Sequence, residues 1–211
     1  MELINDIEVN APVEEVWAAF NDPERIAPCL PGAQLQEIEG DDMRGLVKVK
    51  VGPITAQYKG VATYQERDKD KWHIVIKGDG RGTSGNASAI ITADLDPVDD
   101  NTTKVSVITD LTITGKVAQF GRGAITDVST KLMGQFAANL EKLIEEGSGS
   151  TEAPPAPVAE GTEPVIRKID APEAEAVDLL EVAGTPLLKR IGLPVGVLFV
   201  LIVLRRMLSG D

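Results

Sequence analysis

Six runs of alternating apolar and polar residues follow one another between Gln34 and Ile113, and one long helical period closes the series. Period-two alternation marks strands with one buried face. The runs lie at Gln34–Glu39, Met43–Val51, Ile54–Arg67, Lys71–Gly80, Ala87–Leu95 and Lys104–Ile113. Short turn signals separate them, at Gly40-Asp41-Asp42, Gly52-Pro53, Asp68-Lys69-Asp70 and Asp99-Asp100-Asn101, which predicts an antiparallel meander. A seventh strand is expected at Glu2–Asn10. Two short helices should follow it. The first is APVEEVWAAF, with Val13, Val16, Trp17 and Phe20 on one face. The second begins near Asp22 and is ended by Pro28, Pro31 and Gly32. Lys116–Glu146 repeats apolar residues at helical spacing through Val128, Leu132, Phe136 and Leu140. The order β-α-α-β6-α predicts an α+β fold, a curved seven-stranded antiparallel sheet against one long C-terminal helix.

Sorting the strands by parity puts Ala56, Tyr58, Gly60, Ala62 and Tyr64 on one face of the Ile54 run. Trp72, Ile74 and Ile76 share a face on the next, and Ala87, Ala89, Ile91 and Ala93 on the one after. This face is apolar but rich in small residues, and protein interiors pack densely. Either bulky helix side chains fill the space under the sheet or a ligand does; the pattern leaves both open. The lining expected for such a cavity is Phe20, Leu30, Val49, Tyr58, Ala62, Trp72, Ile74, Ile91, Val107, Leu111, Phe120, Ala124, Val128 and Leu132. Its mouth is expected near Phe20, Leu30 and Phe120, where the second helix would meet the start of the long one.

Catalytic signatures are sparse. No G-x-S-x-G elbow and no P-loop occurs. GDGRGTSG, Gly78–Gly85, follows a strand without opening a helix, so it reads as a flexible hairpin loop. The single histidine, His73, falls on a polar strand face, and the single cysteine, Cys29, between Pro28 and Leu30, reads as a packing residue. Tyr58 and Tyr64 suit either core packing or the orientation of a polar ligand head. No catalytic residue and no metal ligand set is expected, and binding is favoured over catalysis. A net charge of −12 argues against nucleic acid as a partner. A lone cysteine, and a start at Met1 without an apolar leader, give the expectation of a cytoplasmic main domain.

The expected domain covers residues 1–146. From Gly147 the composition changes to GSGSTEAPPAPVAEGTEP, too poor in large apolar residues to offset its ordering entropy. Residues 147–185 therefore read as a flexible acidic linker, in which AEAVDLLEVAG has some helical character. Residues 186–211 contain an uncharged run flanked by Lys189-Arg190 and Arg205-Arg206. A helix from Leu193 to Leu208 is about 24 Å long, short of the roughly 30 Å of a hydrocarbon core. Leu198, Phe199 and Leu201 with their neighbours cover every helix face, which favours a shallow or thinly spanning membrane anchor, on the cytoplasmic face of the cell membrane. The alternative is a helix buried against a partner protein.

Four stretches carry a resemblance. They are DPERIAPCLPGA (Asp22–Ala33), VKVGPITAQYKGVA (Val49–Ala62), GNASA (Gly85–Ala89) and VAQFGRGAI (Val117–Ile125). Together they make Met1–Glu146 similar to the CoxG family of carbon monoxide dehydrogenase subunits, within the START/Bet v 1-like helix-grip superfamily. Gly123 departs from the bulkier residue expected there. The resemblance implies an apolar tunnel between sheet and helix. It also implies a role beside a molybdenum-dependent carbon monoxide dehydrogenase, in membrane association or electron transfer. Pocket, tether and resemblance together suggest a non-enzymatic carrier of a lipophilic respiratory quinone such as menaquinone. A membrane-recruitment adaptor without a ligand is the alternative, and a cyclase- or hydratase-like enzyme a third.

Overall fold

The computed structural model describes residues 1–51, 54–147, 167–169 and 177–178. The expected Gly52-Pro53 turn, most of the expected linker and the whole C-terminal segment lie outside the described residues. That segment includes Lys189, Arg190, Leu198, Phe199, Leu201, Arg205 and Arg206.

Strand β1 spans Glu2–Val9, then come helices α1 at Val13–Phe20 and α2 at Pro23–Ile26, with a 3-10 turn at Ala27–Cys29. Asp22 starts α2: its Oδ1 accepts the N–H groups of Glu24 and Arg25 at 3.1 and 3.2 Å, and Pro23 takes the first helical position. Strands β2 (Ala33–Glu39), β3 (Asp42–Val51), β4 (Ile54–Asp68), β5 (His73–Gly82), β6 (Gly85–Asp99) and β7 (Thr102–Ile113) follow in antiparallel register. A second 3-10 turn, Val117–Phe120, precedes helix α3, Gly121–Gly147. The expected continuous helix from Lys116 is therefore broken at Gly121, whose φ is +77°.

Strand β1 joins the far end of the meander by pairing with β7, giving the open order β1-β7-β6-β5-β4-β3-β2. Two short strands extend the expected seven. Arg167–Lys168 (β8) pairs with β2, and Val177–Asp178 (β9) runs parallel to β3 at Val49–Lys50. Ile169 N–H donates to Gln36 O at 2.9 Å, and Arg167 Nη1 donates to Glu24 Oε1 at 2.8 Å. These pieces of the expected linker are thus held on the sheet, and Val177–Asp178 is strand rather than helix. An open edge of unpaired N–H and C=O groups recruits even short polar segments.

The sheet is curled around α3. Asn5 on β1 donates to Ser129 Oγ at 2.9 Å, and Asn139 donates to Cys29 O, in the turn before β2, at 3.1 Å. Six strand spacings separate β1 from β2, about 29 Å on a flat sheet, yet both edges reach one helix about 10 Å wide. Glu141 Oε1 also accepts from the backbone and side chain of Asn10, at 2.8 and 2.7 Å.

The main core lies at the end where α1 meets the second half of α3. It joins Val9, Val16, Phe20, Ile74, Leu95, Val105 and Val107 to Phe136, Leu140 and Ile144. Phe20 and Phe136 meet edge to face at 5.8 Å, as do Trp17 and Trp72 at 5.5 Å.

Candidate ligand site between the sheet and the long helix

A second, smaller apolar cluster occupies the opposite end of the interior. Ala56, Tyr58 and Val117 form its buried centre, with Val49, Ala87, Ile113, Phe120 and Val128 around them. Beside this cluster the middle of the inner sheet face carries mostly glycine and alanine. Registered rows run Met43–Ala62–Gly78–Ala89–Leu111 and Gly45–Gly60–Gly80–Ala87–Ile113 across β3 to β7. A Cβ placed on Gly78 meets nothing within 4 Å. Close backbone contacts of α3 fall chiefly on β1 and the turn before β2, rather than on β4, β5 and β6.

The inward apolar residues of this stretch are consequently half-buried rather than buried. Ala62, Ile76, Ala89, Ile91 and Leu111 on the sheet, and Ala124, Val128 and Leu132 on α3, all keep accessible surface. A hollow of about 320 Å³ opens at the same end, between Met1, Leu111, Ile113 and the start of α3 at Gly121, Arg122 and Ile125. A larger depression, about 550 Å³, lies on the outer face among Lys59, Asp79, Arg81 and Ser88. Its charged and polar residues, Lys59, Asp79, Arg81 and Ser88, have the strand parity opposite to Tyr58 and Ala87, and Asp79 is already held by Ser88 Oγ at 2.8 Å and Lys77 Nζ at 3.2 Å. The apolar interior, rather than the larger outer depression, is therefore the candidate site.

The glycines of β5 serve distinct ends. Gly78–Gly82, expected as loop, is strand, and only Thr83-Ser84 turns between β5 and β6. A Cβ on Gly80 would come 3.2 Å from Tyr58 Cβ, and one on Gly82 only 2.0 Å from Gln57 O. Gly80 and Gly82 admit close neighbours, whereas Gly78 leaves space.

The two tyrosines have different roles. Tyr64 Oη donates to Phe20 O at 2.6 Å inside the main core, and burial pushes its phenol up to about 12. Tyr58 is 9% exposed and its hydroxyl has no hydrogen-bond partner among the described residues. Burial raises its phenol too, so it stays a neutral donor through the physiological range. Gln135 Oε1 is likewise buried without a partner. It lies on the α3 face that carries Val128, Leu132 and Asn139.

The expected lining therefore divides. Val49, Tyr58, Phe120 and Val128 gather in the smaller cluster. Ala62, Leu111, Ala124 and Leu132 lie half-buried along the open stretch, and Ile91 borders the main core. Phe20, Ile74 and Val107 are packed inside that core and line nothing open. Trp72 precedes β5 with φ +53° and meets Trp17 edge to face at the closed end. Leu30 is 42% exposed. The expected mouth at Phe20, Leu30 and Phe120 is corrected. Phe20 and Phe120 belong to opposite ends of the interior, because α3 meets the turn after α2 late in its course, at Asn139. Gly78 and Gln135 were missed. Strand parity carried through Gly78 would have found the first; the second needs the tertiary packing.

Other reactive groups are placed structurally. Burial raises the Cys29 thiol, which donates to Arg25 O at 3.8 Å. His73 Nδ1 contacts Asp94 Oδ1 at 2.6 Å across β5 and β6. Among the described residues no cluster of metal-ligating side chains occurs, and no helix is long and apolar enough to cross a membrane.

Known structures of the same shape bear out the helix grip. A conserved protein from Geobacillus kaustophilus superposes with TM-score 0.64 at 24% identity, over 70% of this chain and 97% of its own. A Thermus thermophilus protein gives 0.53 at 15%, over 70% and 99%. A START superfamily protein from Mycobacterium smegmatis gives 0.50 at 14%, over 69% and 97%. At these identities the likeness shows the fold alone. A comparison with curated proteins returns no match. The sequence pattern of the carbon monoxide dehydrogenase CoxG subunit matches residues 6–145, and the chain belongs to that family.

Proposed function

We propose that this protein is a non-enzymatic accessory subunit of an aerobic molybdenum carbon monoxide dehydrogenase. It holds a lipophilic respiratory quinone, menaquinone by preference, between the sheet and α3, and carries it between membrane and enzyme. The family's own description supplies the dehydrogenase as partner. The observation that carries the ligand reading is the accessible apolar wall of Ala62, Gly78, Ala89 and Leu132, closed at one end by the packed core. Apolar surface left accessible inside a fold is stabilised by an apolar occupant, at about 25 cal/mol per Å² removed from water. A long isoprenoid chain has that surface and is insoluble without a host.

The C-terminal segment supplies the membrane contact in this reading. Support comes from the sequence: the uncharged run there is flanked by Lys189-Arg190 and Arg205-Arg206, a pattern that suits an anionic lipid surface. Solvent extraction and mass spectrometry of the full chain, purified from a quinone-containing host, tests the reading. Stoichiometric quinone is expected; repeated extracts free of any lipophilic molecule refute it. An adaptor without a ligand predicts the second result together with intact membrane recruitment of the dehydrogenase.

A further inference from the structure

Among the described residues, just two buried side-chain polar atoms lack a partner, Tyr58 Oη and Gln135 Oε1. Buried hydroxyls in folded proteins are almost always satisfied, because an unpaired one has lost its water without gaining a partner. Tyr64, six residues along the same strand and equally buried, is satisfied by Phe20 O. The contrast singles out Tyr58. Its ring lies beside Gly80 and Gly82 and packs with Ala56 and Val117, which leaves the hydroxyl without a protein partner.

We propose that Tyr58 is the head-group anchor of the site, donating a hydrogen bond to a carbonyl oxygen of an otherwise apolar ligand. The inference rests on the quinone reading above and sharpens it: the site selects for a carbonyl-bearing ring rather than for hydrophobicity alone. The head group then sits beside Val117, Phe120 and Val128, and the tail runs along Ala62, Gly78 and Leu132. Burial keeps the phenol protonated, as a donor must be.

The test uses the full chain in mild detergent with two probes of one shape, 2-methyl-1,4-naphthoquinone and 2-methylnaphthalene. The wild type should bind the quinone more tightly. Tyr58→Phe should lose about three- to tenfold in quinone affinity, the value of one hydrogen bond, and leave the hydrocarbon's affinity unchanged. In the ligand-free state Tyr58→Phe should melt no lower than wild type, since it deletes an unpaired group. Infrared spectra of quinone bound to the wild-type chain should show a carbonyl stretch moved to lower frequency than in hydrocarbon solvent; that measurement needs no variant. Equal binding of both probes, an equal loss for both in Tyr58→Phe, or an unshifted carbonyl overturns the anchor while leaving the apolar site standing. Failure of both probes to bind the wild type overturns the quinone reading and the anchor with it.

Discussion

Gly78→Leu tests whether the interior is open. A Cβ at Gly78 meets no atom within 4 Å, and its backbone needs no left-handed conformation. Replacing glycine there restricts the unfolded chain, worth about 0.4–1 kcal/mol. The remaining three carbons of leucine would lie on a half-buried apolar wall. At about 0.8 kcal/mol per fully buried carbon, half-burial adds about 1 kcal/mol, and rotamer ordering removes about 0.5–1. The ligand-free variant should therefore be more stable by about 0.5–1.5 kcal/mol, or about 1–6 °C in melting temperature. It should also bind a long-chain naphthoquinone at least about tenfold more weakly, because leucine occupies the tail's place. Urea denaturation and differential scanning fluorimetry read the first, quinone titration the second. Gly60→Ala is the control: its Cβ would fall 2.0 Å from Asp79 O, so it should destabilise by more than about 1 kcal/mol. A loss of about 1–3 kcal/mol in Gly78→Leu, the mark of overpacking, would show the space already filled and remove the ground for a ligand site.

Tyr64→Phe should cost about 1–3 kcal/mol in urea denaturation by orphaning Phe20 O, with quinone affinity unchanged. The same tyrosine makes stability fall with alkali. Its folded pKa, about 12, lies above the unfolded value near 10, so its contribution is full below pH 10 and is lost between pH 10 and 12. That loss is on the order of 2 kcal/mol and should vanish in Tyr64→Phe; an unchanged alkaline slope refutes it. Asp22→Ala should cost about 1 kcal/mol in thermal unfolding by uncapping α2. A chain truncated after Gly147 exposes the β2 edge that β8 covers, so light scattering should detect more self-association than in the full chain.

Strand parity, turn residues and helical period placed every major element within a few residues, because those signals are local. Val49, Tyr58, Phe120 and Val128 were legible as companions for the same reason: each lies on the apolar side of its own element. Three things were decided at longer range. Ile74 and Val107 have the same inward parity as Ala62 and Leu111, but α1 and Phe136 cover only the former, making one end core and the other accessible. Tyr58 and Tyr64 occupy equivalent sequence positions on β4, yet only Tyr64 ends within reach of a carbonyl, that of Phe20. The linker's composition predicts a chain with nothing to bury, and the side chains of Arg167 and Lys168 are exposed. Its backbone pairs at β8 and β9 because hydrogen bonding to an open edge asks little of side-chain identity. The sequence by itself determined which residues face inward. Only the curl of the sheet around α3 decided which inward residues are covered, which donors are paired, and where an apolar guest has room.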